Sequence, residues 1–241
     1  MINYNLGKNI TGFTTDRTVG REPSLLCPLL GVSEQRFARP HQTHTDRVLH
    51  TDGDFFNHTA EQREEMMDGI DAVISDVTDA CIGISTADCI PVLVYDPEHH
   101  ACAAIHAGWR GTVQSIVVKT IKEMQRVFAS DPSQCRAAIG PGISLESFEV
   151  GDEVYAEFIS LPMGEGWGGA FSRYPSRFGG ERWHIDLKEI NRLQLLACGL
   201  KAEAIEVSDI DTFTDERFFS ARREQKGDIK CGRILTGFVL R

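Results

Sequence analysis

Two short runs carry the residues of this chain best suited to chemistry: Ala87-Asp88-Cys89-Ile90-Pro91 and His106-Ala107-Gly108-Trp109-Arg110-Gly111. A thiol and an imidazole held together can ligate a borderline-soft metal ion, or act as a nucleophile and its base. The plainer alternative is a buried cysteine beside a hydrogen-bonded core histidine. Pro40-His41-Gln42-Thr43-His44 supplies two more imidazoles, with His41 and His44 competing to be a third donor. Three protein ligands leave a fourth tetrahedral position for water or substrate, which separates a catalytic zinc site from a closed structural one. Asp88, next to the thiol, reads as an orienting carboxylate or a proton carrier. The catalytic set under consideration is therefore Asp88, Cys89 and His106.

Backbone pairing decides whether the thiol and the imidazole meet. Asp96-Pro97-Glu98-His99-His100 reads as a turn between two runs rich in Val, Ile and Ala. If Asp96 pairs with Ala101, then Pro91 pairs with His106, and Cys89 falls diagonal to His106 on one sheet face, roughly 7–8 Å apart at the backbone. Metal–ligand bonds of about 2.0–2.3 Å from each side bridge that gap. A slip of one residue would send the pair to opposite faces.

Further along, Val113, Ile116, Val117, Ile121, Met124 and Phe128 follow one helical face. The start of that helix, just after residues 108–111, gathers free N–H groups and Arg110 into a place suited to phosphate or carboxylate. Arg222 and Arg223 carry the same reading, against the plainer one of solvated arginines. Arg110 and Arg222 are taken as the substrate-binding pair. His50, His58, His99, His100 and His184 read as loop or surface residues.

Strands are expected over 72–75, 81–85, 204–207 and 234–240, with another from 137 that ends in a tight loop by 143. Helices are expected over 151–158 and 187–198, the second stopped by Gly199. Residues 52–68 read as an exposed loop or marginal helix, and the glycine-rich stretch 163–180 as a mobile excursion. Periodicity over the first 50 residues is weak. Strands outnumber helices without regular β-α alternation, which points to an α+β layered domain.

A chain of 241 residues with 41% hydrophobic content can bury a substantial core, and a single domain over 1–241 is favoured. No stretch approaches the ~20 apolar residues of a membrane span, and Met1-Ile2-Asn3-Tyr4-Asn5 starts no basic-then-apolar leader, so a soluble, cytoplasmic protein is expected. Seven cysteines form no C-x-x-C pair, and most are expected to be reduced and buried. A net charge of −10 argues against nucleic acid as a partner, while leaving small anions at local arginine clusters.

Taken together, Gln42-Thr43-His44, Ala87-Asp88-Cys89-Ile90-Pro91, His106-Ala107-Gly108-Trp109-Arg110-Gly111, Ile139-Gly140-Pro141, Phe148-Glu149-Val150-Gly151 and Phe218-Phe219-Ser220-Ala221-Arg222-Arg223 resemble the YfiH-type laccase-domain family, in order and over nearly the whole chain. The resemblance implies an α/β sandwich of mixed sheets flanked by helices. It implies a zinc site of His44, Cys89 and His106. It also implies purine nucleoside chemistry: phosphorolysis of adenosine, inosine and methylthioadenosine, and deamination of adenosine. An older description of the family is copper polyphenol oxidase. Two departures stand out: Asp211-Thr212 where family members usually carry Cys-Thr, and a loop over 142–147 longer than in some relatives. A carboxylate is a harder ligand than a thiolate, so Asp211 bears on substrate choice or metal preference.

A thiolate with two imidazoles suits zinc, with copper as the alternative. A working laccase needs a further histidine-rich oxygen-reducing cluster, and the chain has 8 histidines, several of them peripheral. Water directed at C6 of adenosine would give deamination. Phosphate directed at the anomeric carbon would give phosphorolysis. A metal-free cysteine hydrolase built on Cys89 and His106 is the third reading.

Overall fold

Strands that are buried at every position need a layer on each side, and the central strands of this protein are of that kind. The computed structural model describes residues 1–161, 164–176, 179–225, 227 and 232–241. With elements numbered in chain order, a five-stranded sheet runs β1 (Ile2–Tyr4), β2 (Ile10–Thr14), β14 (Ile234–Leu240), β6 (Cys81–Thr86), β3 (Phe37–Ala38). A six-stranded sheet runs β13 (Ile205–Val207), β9 (Arg136–Ile139), β7 (Ile90–Asp96), β8 (Ala101–Ala107), β5 (Ala72–Ser75), β4 (Val48–His50). Both are mixed: β3 joins β6, β4 joins β5 and β13 joins β9 in parallel, and the other pairs are antiparallel.

The two sheets pack face to face. Leu93, Ala104, Val73 and Ala138 of one meet Ile82, Ile84 and Phe238 of the other. The opposite faces of the same strands, through Val92, Val94, Ala103 and Ile105, pack on α4 (Ile116–Phe128) and α6 (Leu187–Ala197). On the far side, α1 (Pro23–Leu30) covers Phe13, Leu235 and Val239 with Leu26 and Leu30. The layers are therefore helix, sheet, sheet, helix, the expected α+β sandwich. A small third sheet, β10 (Glu149–Val150), β12 (Glu181–Ile185), β11 (Phe171–Pro175), lies with α5 (Asp152–Ile159) at the helical face, where Tyr155 stacks on Trp183 at 3.7 Å. Two short helices, α2 (Ala60–Met66) and α7 (Ala221–Glu224), lie outside the layers, and α3 (Trp109–Val113) follows β8 directly. No helix among the described residues is long and apolar enough to cross a membrane.

The central hairpin has the expected register, Asp96 opposite Ala101 and Pro91 opposite His106. Asp96 locks it: one carboxylate oxygen accepts the N–H groups of Glu98 and His99, and the other contacts His99 Nδ1 at 2.8 Å.

Several expectations are corrected. The helix expected through Val113 and Phe128 is broken at Ser115, which takes φ 59°. Asn191 and Gln194 of α6 hold Thr112 by its hydroxyl and carbonyl, and so end α3 there. The stretch 163–180 is largely regular, with a 3-10 helix Gly164–Ala170 and strand β11, because Trp167 and Ala170 are buried; Met163, Arg177 and Phe178 lie outside the described residues. Residues 52–68 contain α2, capped by reciprocal Thr59–Gln62 bonds, and bury Phe55 and Phe56. His184 is not a surface residue but is buried in β12.

Gly83 and Gly237 face each other across β6 and β14. A Cβ on Gly237 would overlap the Ile82 carbonyl oxygen and lie 2.8 Å from Gly83 Cα. Backbone cannot yield as a flexible side chain does, so Gly237→Ala is expected to destabilise by about 1–3 kcal/mol, read as a lower urea midpoint at unchanged slope.

Candidate metal centre

Register parity puts Cys89, Pro91, Leu93 and His106 on the inter-sheet face, and Cys89 and His106 sit at the end of that face. Here the sandwich opens into a cavity of about 1080 Å³ whose lining includes His44, Cys89 and His106. The ligand atoms of these three residues all lie within 4.8 Å of one another. Cys89 Sγ is 3.8 Å from His44 Nε2, and a tetrahedral ion with bonds of about 2.3 Å to sulfur and 2.0–2.1 Å to nitrogen sets such atoms roughly 3.6 Å apart. The donor set fits a single borderline-soft ion. Among the described residues this is the one group of three or more side chains arranged to hold a metal.

His44 arrives from a loop, and its placement needs two anchors. Gln42 bonds both the N–H and the C=O of Ser85 at 2.7 and 2.8 Å, extending the edge of β6 with a side chain. Asp71, the residue before β5, then accepts N–H bonds from Thr43, His44 and Thr45 and the Thr45 hydroxyl. The turn forces His44 to φ 63°. The same carboxylate meets His106 Nδ1 at 2.6 Å, which leaves Nε2 for an ion. His41, the competitor for the third place, instead pairs with Asp68 at the surface.

Asp88 takes φ 81°, which turns the chain so that Cys89 and Asp88 diverge. Its carboxylate accepts the hydroxyls of Thr212 and Ser220 and the N–H of Arg222 at 2.7–2.9 Å, and its carbonyl accepts from Ile143. Opposite, a Cβ on Gly108 would stand 2.9 Å from Cys89 Sγ and 3.0 Å from His44 Cδ2, so glycine keeps the ligands' space open.

Burial alone would push the Cys89 thiol up. The charge of His106 and hydrogen bonds from His106 and His44 outweigh burial and bring it to about 6. Burial likewise disfavours a charged His106, but Cys89 and Asp71 raise it to about 9, and Asp71 itself is held down to about 2 by His106 and Thr45 despite burial. The surroundings of the sulfur thus favour the thiolate, the form that metal binding and nucleophilic attack both require. Burial pushes the thiols of Cys27, Cys81, Cys102, Cys135 and Cys198 the other way, and all five are free; Cys231 lies outside the described residues.

The predicted arginines are elsewhere. Arg110 is exposed with its guanidinium 4.3 Å from the Trp109 ring centre, and Arg222 donates both terminal nitrogens to the Glu149 carbonyl. Neither lines the cavity, whereas Arg21, Arg39, Arg63 and Arg233 do. Asp211 is not among the ligands. It accepts the N–H and hydroxyl of Ser144 and the hydroxyl of Ser147, pinning the 142–147 loop.

A face-to-face mixed-sheet sandwich with one His–Cys–His group at the mouth of a cavity defines the class. The chain belongs to the family described as multi-copper polyphenol oxidoreductase laccase, whose model matches residues 3–241. It is 41% identical over 239 residues to a purine nucleoside phosphorylase of Bacteroides thetaiotaomicron, covering 96% of this chain and 84% of that one. It is 35% identical over 209 residues to adenosine deaminase RL5 of an unknown prokaryotic organism, covering 86% and 76%. The crystal structure of the Bacillus licheniformis protein YfiH superposes with a TM-score of 0.83 at 26% identity, covering 96% and 93%.

Asp71→Asn keeps the shape but weakens the hold on His106, and is expected to lower zinc affinity 10–100-fold in competition with a chromophoric chelator. Cys89→Ala is expected to retain its circular dichroism spectrum while binding added metal ion more weakly in the same competition.

Proposed function

We propose that this protein is a zinc-dependent purine nucleoside enzyme. It would cleave adenosine, inosine and methylthioadenosine by phosphorolysis and deaminate adenosine to inosine. The observation that carries the reading is the convergence of two imidazoles and one thiolate at 4.8 Å or less, beside a cavity large enough for a nucleoside and an anion. The relatives named for phosphorolysis and for adenosine deamination support both branches. His44, Cys89 and His106 would hold the ion, which when bound supplies a Lewis acid and lowers the pKa of a bound water.

The protein's own residues do the positioning. Asp71 orients His106 and the His44 turn. Asp88 is proposed as the residue that aims Cys89, because three donors already occupy its carboxylate; the proton-carrier reading would require it to exchange one of them. In phosphorolysis a phosphate oxygen bonds to C1′ as the C1′–N9 bond breaks. The electron pair leaves on the purine, which takes up a proton. In deamination water adds at C6 and ammonia leaves.

Two imidazoles on one sulfur favour a metal over a cysteine hydrolase, since a nucleophilic thiolate needs only one base. A polyphenol oxidase would call for a second metal-binding cluster, and the described residues hold one such group.

The test is metal analysis of the purified protein, with chromatography of products from adenosine with and without phosphate. Stoichiometric zinc, adenine formed only with phosphate and inosine formed without it are expected, and Cys89→Ala should lose both. Stoichiometric copper, or turnover that survives chelation but not thiol alkylation, would overturn the reading.

A further inference from the structure

Four arginines line the cavity, and two of them are occupied. Arg63 donates to the backbone carbonyl and the side-chain oxygen of Gln35, at 3.0 and 3.2 Å. Arg233 donates to the Gly232 carbonyl at 2.7 Å and faces Glu224 at 3.4 Å. Arg39 differs: among the described residues its side chain makes no hydrogen bond or ion pair, and its Nε is buried without a partner. Burial and the like charge of neighbouring Arg21 both disfavour its charged form, and Glu22 offsets them only in part. A half-buried guanidinium whose Nε is shut off from water, with no side-chain partner and a second guanidinium nearby, gains from an anion that neutralises it. Its planar fork of donors matches an oxyanion.

Position gives the anion a use. Arg39 leaves β3 five residues before His44, and both face the same cavity. The loop carrying Arg21 lies against the start of β14, where a Cβ on Gly20 would be 3.8 Å from the Arg233 carbonyl oxygen. Of the cavity's acidic residues, Glu61, Glu64, Glu65 and Asp68 belong to α2 and its end, and Glu34 lies in the 3-10 turn before β3; an anion is drawn to the arginines and away from these carboxylates.

We propose that Arg39, with Arg21, forms the phosphate subsite of this cavity, in place of the Arg110 and Arg222 that sequence motifs suggest. The role of the phosphate as the attacking group rests on the phosphorolysis reading, whereas the binding of inorganic phosphate does not.

The test pairs calorimetric titration of inorganic phosphate into zinc-loaded protein with steady-state phosphorolysis. Arg39→Ala is expected to raise both the Kd and the KM for phosphate by roughly tenfold or more, the change that follows loss of a charge-assisted bond. The KM for nucleoside should move by less than about twofold. Arg39→Lys should fall between, Arg21→Ala should weaken phosphate in the same direction, and Arg182→Ala, exposed on β12, should change nothing. Zinc content and circular dichroism identify a variant that has lost its fold, and Arg39→Gln then replaces Arg39→Ala. Phosphate bound as tightly by folded Arg39→Ala and Arg39→Gln as by the native protein would overturn the subsite. If the native protein binds phosphate through Arg39 yet releases no free base, the phosphorolysis reading fails and the subsite stands.

Discussion

One buried carboxylate sets the geometry on which the rest of the site depends. Asp71 sits at the junction of a loop and β5 and receives donors from two directions: the backbone of Thr43, His44 and Thr45, and the ring of His106 from β8. A carboxylate in that position stays ionised because every oxygen is bonded. Two candidate ligands that are 62 residues apart in the chain are thereby referred to a single point. The third, Cys89, does not depend on Asp71: it precedes β7, whose pairing with β8 sets it diagonal to His106, and the Asp88 turn holds it there.

The site lies where strained backbone is affordable. His44 and Asp88 both have positive φ, at 63° and 81°, without being glycine. Such conformations persist where the surroundings over-determine them, and each is held by several hydrogen bonds from other segments. Asp88 links β7 to Thr212, to Ser220 and to Ile143, so three loops distant in sequence close around the end of one strand. The all-buried strands supply the rigid frame, and the loops at their ends supply the donors.

The parts of this arrangement legible in the sequence are those set by local rules. The Asp96 turn sets the hairpin register, and the register puts Cys89 diagonal to His106. The strands at 72–75 and 234–240 are visible as short, mainly apolar runs. His41 and His44 could not be separated from the residues alone, because the choice depends on Gln42 reaching Ser85 and on Asp71 reaching the loop, both long-range contacts. Asp71 itself looks like any acidic residue ahead of a strand. Arg39 gives no signal either, since it lies in the weakly periodic first 50 residues and its distinction is a partner it lacks. The break at Ser115 depends on side chains from α6, some 80 residues further on.

The three ligands differ in exposure: His106 is buried, Cys89 half-buried and His44 exposed. An ion seated among them would have a buried wall and an exposed one. His106, clamped by Asp71, belongs to the sheet, whereas the His44 ring stands on the solvent side, on a loop whose backbone the same carboxylate holds. An ion would then reach the three donors from the cavity without the core opening, so any metal carried would reflect the supply met after folding, not the one present while the chain was being made.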